Sequence, residues 1–336
     1  MRTFAFSILV TVVCLVLAYL WQDWRGVYIA IVLGILEISL SFDNAVVNAS
    51  VLDDMDPLWQ TIFLTIGILI AVFGMRLVFP VAIVAGATGL GAAEVAHMAL
   101  NQPEVYARHL HDSHTEVAFF GGTFLLLVFL GFLIDNGKDV HWLGRIEALL
   151  ARLGKLESAA VLCALVALMA LQSFLPEEAR IRAVLAGLLG IMIFIAVDGI
   201  DAFFETGDDG HGGVAKRSGV AGFLYLELLD ASFSFDGVIG AFAITNDVVL
   251  IMLGLGIGAM FVRSFTVYMV RQGTLKAFVF LEHGAHYAIG LLAAVMRASP
   301  LMVIPEWFTG GVGVLMIGLS LISSVRYNRA QRQASG

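Results

Sequence analysis

The chain has 336 residues, of which 60% are hydrophobic and 14% charged, with a mean hydropathy of +0.92 and a formal net charge of −8. Soluble domains carry about 45–50% apolar and about 25% charged residues, so a water-facing surface is excluded and the solvent is lipid, where spans of about 20 apolar residues must be helical. The acidic balance argues against a nucleic-acid partner, which needs clustered Lys and Arg. Cys14 and Cys163 lie far apart in apolar runs and imply neither a disulfide framework nor a thiolate metal site. No GxxxxGK[ST] phosphate loop is present.

The first apolar run, residues 4–21, lacks a small-residue cleavage site after it and is expected to be a retained helix rather than a signal peptide. Further runs fall at about 27–52, 58–79, 81–100, 117–135, 158–175, 183–204, 219–245, 248–270, 277–296 and 306–325. Run 81–100 is rich in Gly and Ala and carries Glu94 and His97. It reads as a full span, a kinked continuation of the preceding helix, or a re-entrant piece. The expected fold is therefore all-α: a polytopic transmembrane bundle of about ten or eleven spans in a single membrane domain over residues 1–336.

Basic residues set the orientation. Lys138, Arg145, Arg152 and Lys155 in loop 136–157, and Arg326, Arg329 and Arg332 in the C-terminal tail, fall on one side and place it in the cytoplasm of a bacterial inner membrane. Loops 53–57 and 246–247 carry acids only and suit the outer face or a pore mouth. Segment 101–116, with His109, His111 and His114, and segment 205–218 read as solvated connectors or as cation-collecting mouths.

One motif occurs twice. Run 27–52 contains Glu37, then Ser41-Phe42-Asp43-Asn44; run 219–245 contains Asp230, then Ser234-Phe235-Asp236-Gly237, with Glu227 one turn upstream. The helix after each copy carries a single arginine deep in apolar sequence, Arg76 and Arg263. Such duplication suggests two related halves, about 27–135 and 219–325, joined by linker helices at about 136–205. Transporters built from inverted repeats place half-sites against each other near the midplane. A bundle in which run 81–100 does not fully cross makes the two copies antiparallel.

Buried charges in lipid are costly, about 2.5–3.5 kcal/mol each on insertion scales, and so face partners or ions. The acids Glu37, Asp43, Glu227, Asp230 and Asp236 outnumber Arg76 and Arg263, which favours a bound cation or shared protons over simple helix clamps. On a regular helix Glu37, Ser41, Asn44 and Asn48 share one stripe. Asp43 and Asp236 fall about 120° away and would join only if both copies unwind locally. Carboxylate, amide and hydroxyl oxygens suit Mn²⁺, Mg²⁺ or Ca²⁺. Secondary candidates are Ser41, Asn48 and Ser234, the helix-end acids Asp198 and Asp201, and Glu282, His283 and His286. The last three read as an interhelical hydrogen bond, a proton relay or auxiliary ligands.

At these motifs the sequence resembles the TerC/Alx family of integral membrane proteins. The matching elements are Glu37…Asp43-Asn44 and Glu227-Leu-Leu-Asp230-Ala-Ser-Phe-Ser234-Phe-Asp236, with the arginine-bearing helices that follow. Gly237 departs from the family's usual Ser. The resemblance implies manganese export and a link to tellurite resistance. The expected function is a divalent-cation exporter, Mn²⁺ foremost, with metal ligands Glu37, Asp43, Asn44, Glu227, Asp230 and Asp236. Arg76 and Arg263 would supply positive charge when the site is empty. No cofactor beyond the cation, no enzymatic activity, a lipid environment and a homo-oligomer fit this reading. The alternatives are a non-transporting membrane partner in metal or tellurite resistance, and a membrane-embedded metal-dependent enzyme.

Overall fold

The computed structural model describes residues 2–53, 55–135, 137–138, 140–152, 158–204, 219–302 and 304–334. Segment 205–218 lies outside the described residues, as do the side chains of Asp201 and Asp236. Every described element is a helix. The chain opens with α1 (Arg2–Leu40), α2 (Phe42–Asp53) and α3 (Pro57–Leu69), followed by a π-helical stretch over Ile70–Val78 and α4 (Phe79–Thr88). Short helices α5 (Ala92–Asn101) and α6 (Pro103–Asp112) precede α7 (His114–Leu133), α8 (Arg145–Ala151), α9 (Ala159–Gln172) and α10 (Glu177–Phe204). The second half holds α11 (Gly219–Ile244), α12 (Val248–Gln272), α13 (Thr274–Ala277), α14 (Leu281–Ala298) and α15 (Glu306–Ala334).

Helix α1 is a hairpin of two helical arms. Gln22 and Asp23 leave helical geometry, Asp23 with φ 49°. The arms then pack so closely that a Cβ on Gly26 would lie 2.3 Å from the Ala18 carbonyl oxygen. Asp247 fixes the bend: its carboxylate caps α12 through the Val249 and Leu250 N–H groups and accepts hydrogen bonds from Trp21 and Gln22 side chains. The first arm lies along α12, where the Ser7 hydroxyl donates to the Met260 carbonyl.

Among the described residues, six helices are long and apolar enough to cross a membrane, with the α1 hairpin counted as one. The other apolar runs form helices that are shorter, interrupted or, like the 26-residue α11, richer in charge. Helix α9 has 14 residues, and the second arm of α1 bends at Ser41 into α2. Among the described residues the start of α1 and the end of α12 lie on one face, where Phe4 packs on Phe265 and Tyr268. Asn328 anchors the C-terminal helix there, donating to the Ala277 carbonyl.

Run 81–100 is not a span. The helix begun at Pro57 continues through the π stretch to Thr88 and stops at Gly89, whose φ of +73° places it in the left-handed region that favours glycine. Helices α5 and α6 then fold back against α4. Loop 53–57 lies on the same face as loop 135–147, because Val51 and Asp135 line one chamber. An outer-face position for loop 53–57, opposite the basic loop, is therefore corrected; a pore-mouth position is compatible.

Helices α2 and α11 cross the centre in opposite directions. Glu37 approaches Gly237, Asn44 and Asn48 bond Asp230, and Trp59 packs on Phe223. Glycines allow the second arm of α1 to sit directly on α12: a Cβ on Gly254 would meet Leu33 Cβ at 2.5 Å, and one on Gly258 would meet Glu37 Cβ at 2.4 Å. Small residues permit such close backbone approach in lipid, where association depends on packing.

Candidate functional site

Glu37 and Asp230, the leading acids of the two motif copies, meet at the centre of the bundle in two half-sites. In the first, Glu37 is 3% exposed and paired with Arg76, which also donates to the Ala71 carbonyl. Ser41 Oγ donates to Glu37 Oε1 at 3.1 Å. Arg76 sits in the π-helical stretch Ile70–Val78, a widened geometry often found at functional sites. Two glycines shape the pocket for Glu37: Gly258 admits its Cβ and Cγ, and a Cβ on Gly237 would lie 2.9 Å from Oε2. Gly237 thus makes room for the Glu37 carboxylate.

In the second half-site Arg263 is clamped on several sides. Its guanidinium donates to the Phe63 and Gly67 carbonyls at 3.0 and 2.9 Å and to Asp230 Oδ2 at 3.2 Å. Glu227 Oε1 lies 3.5 Å away, and the Phe63 ring lies under the guanidinium carbon at 3.8 Å, a cation–π contact. Gly67 leaves room for this pair, since a Cβ there would lie 2.6 Å from Glu227 Oε1 and displace the side chain.

Asn44 and Asn48 join the halves. Their Nδ2 groups both donate to Asp230 Oδ1, at 2.7 and 2.8 Å. Between the half-sites lies a cavity of about 20 Å³, lined by Glu37, Ser41, Asn44, Asn48, Asp230 and Ser234, with Arg76, Arg263 and Thr266 on its walls. That is room for one water or one ion without its hydration shell. The Oδ1 atoms of Asn44 and Asn48 and the Oγ of Ser234 are buried there without a hydrogen-bond partner. Native structures leave few buried polar atoms unsatisfied, and those that remain call for an explanation.

The other sequence candidates fall elsewhere. Asp43 is buried but does not line the cavity. Its Oδ1 accepts from the Asn44 N–H, and its Oδ2 faces Gly313 of α15. The expected unwinding is absent from the second copy, where α11 runs unbroken, and in the first copy it is only a bend at Ser41. Across that bend Ser41 N–H still donates to Glu37 O and Ala45 N–H to Ser41 O. The helical phase is kept, and Asp43 stays off the Glu37 stripe. Asp236 and Asp201 carry side chains outside the described residues. Asp198 is exposed on α10, away from the cavity, and Glu94 and His97 are exposed on α5. Among the described residues no three His, Cys, Asp or Glu side chains converge as a metal cluster. The donor set at the centre is two carboxylates extended by amides and hydroxyls.

Glu282, His283 and His286 line a different space. It is a chamber of about 230 Å³ beneath loop 135–140, shared with Ser50, Val51, Phe132, Asp135 and Lys138. Beside it Glu147, fully buried, accepts from Lys138 Nζ at 2.7 Å and from the Leu143 N–H at 3.2 Å, and lies 3.4 Å from His283 Nε2. Burial alone would raise the Glu147 pKa, but the hydrogen bond and charge of Lys138 outweigh it and hold the carboxyl below its usual range. Sequence inspection passed over Glu147 and used Lys138 only for orientation, because both sit in an ordinary-looking polar segment.

An all-helical membrane protein with a polar, charge-paired centre between two antiparallel motif helices is the class these features define. Within it, the chain belongs to the family described as "Protein of unknown function (DUF475)", which matches residues 42–331. The matched region begins at the bend after Leu40, so Glu37 and the α1 hairpin precede it. Neither the curated proteins nor the solved structures contain a match.

Proposed function

We propose that this protein is a transporter for a divalent cation, Mn²⁺ foremost, and that the central cavity is its substrate site. The observation that carries the reading is the set of unpartnered oxygens of Asn44, Asn48 and Ser234 around a cavity of about 20 Å³ that Glu37 and Asp230 also line. Hard oxygen donors of this kind suit Mn²⁺, Mg²⁺ and Ca²⁺. Each cavity carboxylate is bound to an arginine, and an entering cation takes over the arginine's role as counter-charge. The two motif helices, each followed by an arginine helix and running oppositely, are read as inverted repeats. The motif resemblance to TerC/Alx proteins supports manganese as cargo and export as direction. Trp142 and Tyr327 both pack on Phe280, which brings the segment of Lys138, Arg145 and Arg152 to the face of Arg326, Arg329 and Arg332, and the positive-inside rule assigns that face to the cytoplasm of a bacterial inner membrane. Asp43, which faces Gly313 of α15 instead of the cavity, is assigned to the path.

Transport by the purified protein in proteoliposomes, with Mn²⁺, Mg²⁺, Ca²⁺ and Zn²⁺ in competition, tests the proposal. Asp230→Asn keeps the side chain's shape and is expected to abolish Mn²⁺ flux. Asn44→Ala is expected to lower apparent affinity by about tenfold or more, by analogy with losses at metal-supporting positions. Flux equal to wild type in both variants overturns the site. Absence of flux from wild type, with Mn²⁺ still bound, would favour a non-transporting metal-binding partner.

A further inference from the structure

The chamber under loop 135–140 adjoins the central cavity. Asn48 lines the cavity while Ser50 and Val51 line the chamber, two and three residues further along α2, an axial step of about 3–5 Å. At about 230 Å³ against about 20 Å³, the chamber accepts an ion with water around it, whereas the cavity does not.

The chamber's two histidines are held in defined orientations. His283 Nε2 lies 2.9 Å from the Val140 carbonyl oxygen. A carbonyl only accepts, so this nitrogen carries the proton and the lone pair is on Nδ1. That Nδ1 is buried and has no hydrogen-bond partner. In His286 the roles are exchanged: Nδ1 lies 3.0 Å from the Glu282 carbonyl oxygen and donates to it, leaving the lone pair on Nε2. Both residues are more than nine-tenths buried. Phe132 fixes their planes, stacked on His286 at 3.9 Å and edge-on to His283 at 5.1 Å. One ring nitrogen bound to a backbone carbonyl, the other left as a bare lone pair, is the arrangement that prepares an imidazole to ligate a metal. Asp135 and Glu282 add carboxylates to the same walls, and the charge of Lys138 is offset by Glu147.

We propose that this chamber is a second cation station, selective for transition-metal over alkaline-earth divalent ions, where His283 Nδ1 and His286 Nε2 ligate a partly hydrated ion. Imidazole favours transition metals, whereas Mg²⁺ and Ca²⁺ are taken by oxygen donors. The central oxygens discriminate poorly among hard divalent ions, so the chamber supplies the selection. Two imidazoles with water completing the shell bind weakly enough for the ion to leave, as conduction through successive sites requires. As a station on a path, the proposal rests on the transport reading of the central cavity; as a binding site, it stands alone.

The test uses full-length protein in detergent loaded with Mn²⁺ and read by electron spin echo envelope modulation, which detects coordinated imidazole nitrogen. Wild type is expected to show ¹⁴N modulation. It should weaken in His286→Gln and vanish in His283→Asn/His286→Gln, with Mn²⁺ affinity at this site down at least about tenfold and Mg²⁺ binding unchanged. Asp230→Asn should keep the nitrogen signal while losing flux. Absence of ¹⁴N modulation in saturated wild type, or its persistence in His286→Gln and the double variant, overturns the station. So does an unchanged Mn²⁺/Mg²⁺ flux preference in either histidine variant. A nitrogen signal in wild type without any flux would sustain the binding site and instead defeat the transport reading. Should the double variant fail to fold, His286→Gln alone carries the comparison.

Discussion

Gly258→Ala separates the packing role of the α1–α12 interface from its role at the site. A Cβ at this position would sit 2.4 Å from Glu37 Cβ, 2.6 Å from Glu37 Cγ and 2.8 Å from the Gly34 carbonyl oxygen. Carbon atoms prefer about 3.5–4.0 Å, so the helices must part by about 1 Å or Glu37 must swing. A backbone oxygen is among the obstructing atoms, so no side-chain rotation relieves the clash completely. Overpacking of this kind costs about 1–3 kcal/mol, a fall of a few degrees in melting temperature for a chain of this size. Any movement of Glu37 also loosens Arg76 and the cavity wall. Two neighbouring substitutions resolve the effects. Gly254→Ala would clash with Leu33 Cβ at 2.5 Å, away from the acids, whereas Gly256→Ala meets only Val72 Cγ1 at 3.4 Å. Melting in detergent and Mn²⁺ affinity by titration should then divide three ways. Gly258→Ala loses stability and affinity, Gly254→Ala loses stability alone, and Gly256→Ala loses neither. Unchanged Mn²⁺ affinity in a destabilised Gly258→Ala protein would refute the link between this helix contact and the site.

Two further outcomes follow from the cytoplasm-assigned face and the chain trace. The Glu147 pKa is held below the ordinary 4.5, so the carboxylate's contribution to stability is complete above that value and is lost as pH falls through the lower folded value. Glu147→Gln should therefore melt below wild type by a constant margin from about pH 8 to pH 5 and converge with it only below about pH 4; a margin that already closes at pH 6 would contradict the assignment. In a background lacking Cys14 and Cys163, Arg145→Cys and Arg329→Cys should react with an impermeant maleimide from one side and Glu104→Cys from the other. Labelling of all three from a single side would break the trace.

The all-helical fold and the pairing of acids with arginines were legible because charge within apolar sequence is costly and must be compensated. The reversal between residues 21 and 27 was also visible as a gap between apolar runs, although Gln22 and Asp23 complete the turn with no glycine at the bend itself. The fate of run 81–100 hinged on Gly89, one of several glycines in that stretch, and sequence does not say which of them adopts positive φ. Asp43 lies off the cavity for a different reason. Its motif position suggested a ligand, but its helical phase did not, and the hydrogen bonds kept across Ser41 let phase decide. Gly67 and Gly258 escaped notice, and Gly237 was noted only as a departure from the motif, because their function is the space that a side chain from another segment occupies. Glu147 escaped because its burial depends on a loop folding over it.

Among the described residues the two half-sites are unequal in charge, and under the transport reading that inequality gives the site a direction. Of the described carboxylates, Arg76 answers one, Glu37, whereas Arg263 answers two, Glu227 and Asp230. Burying a charge without its partner is costly, so the second half-site holds the stronger demand for an added cation. It is also the half nearer the chamber, since Tyr225 on the same helix lines the chamber wall and Asp230 the cavity. An ion arriving from the face of Lys138 and His283 would thus meet Asp230 with Asn44 and Asn48 before Glu37. Its charge would weaken the Arg263–Asp230 contact, while the Phe63 and Gly67 carbonyls keep the guanidinium satisfied. The arginine has somewhere to remain when the carboxylate turns to the ion, which makes the exchange of counter-charge possible without moving a helix.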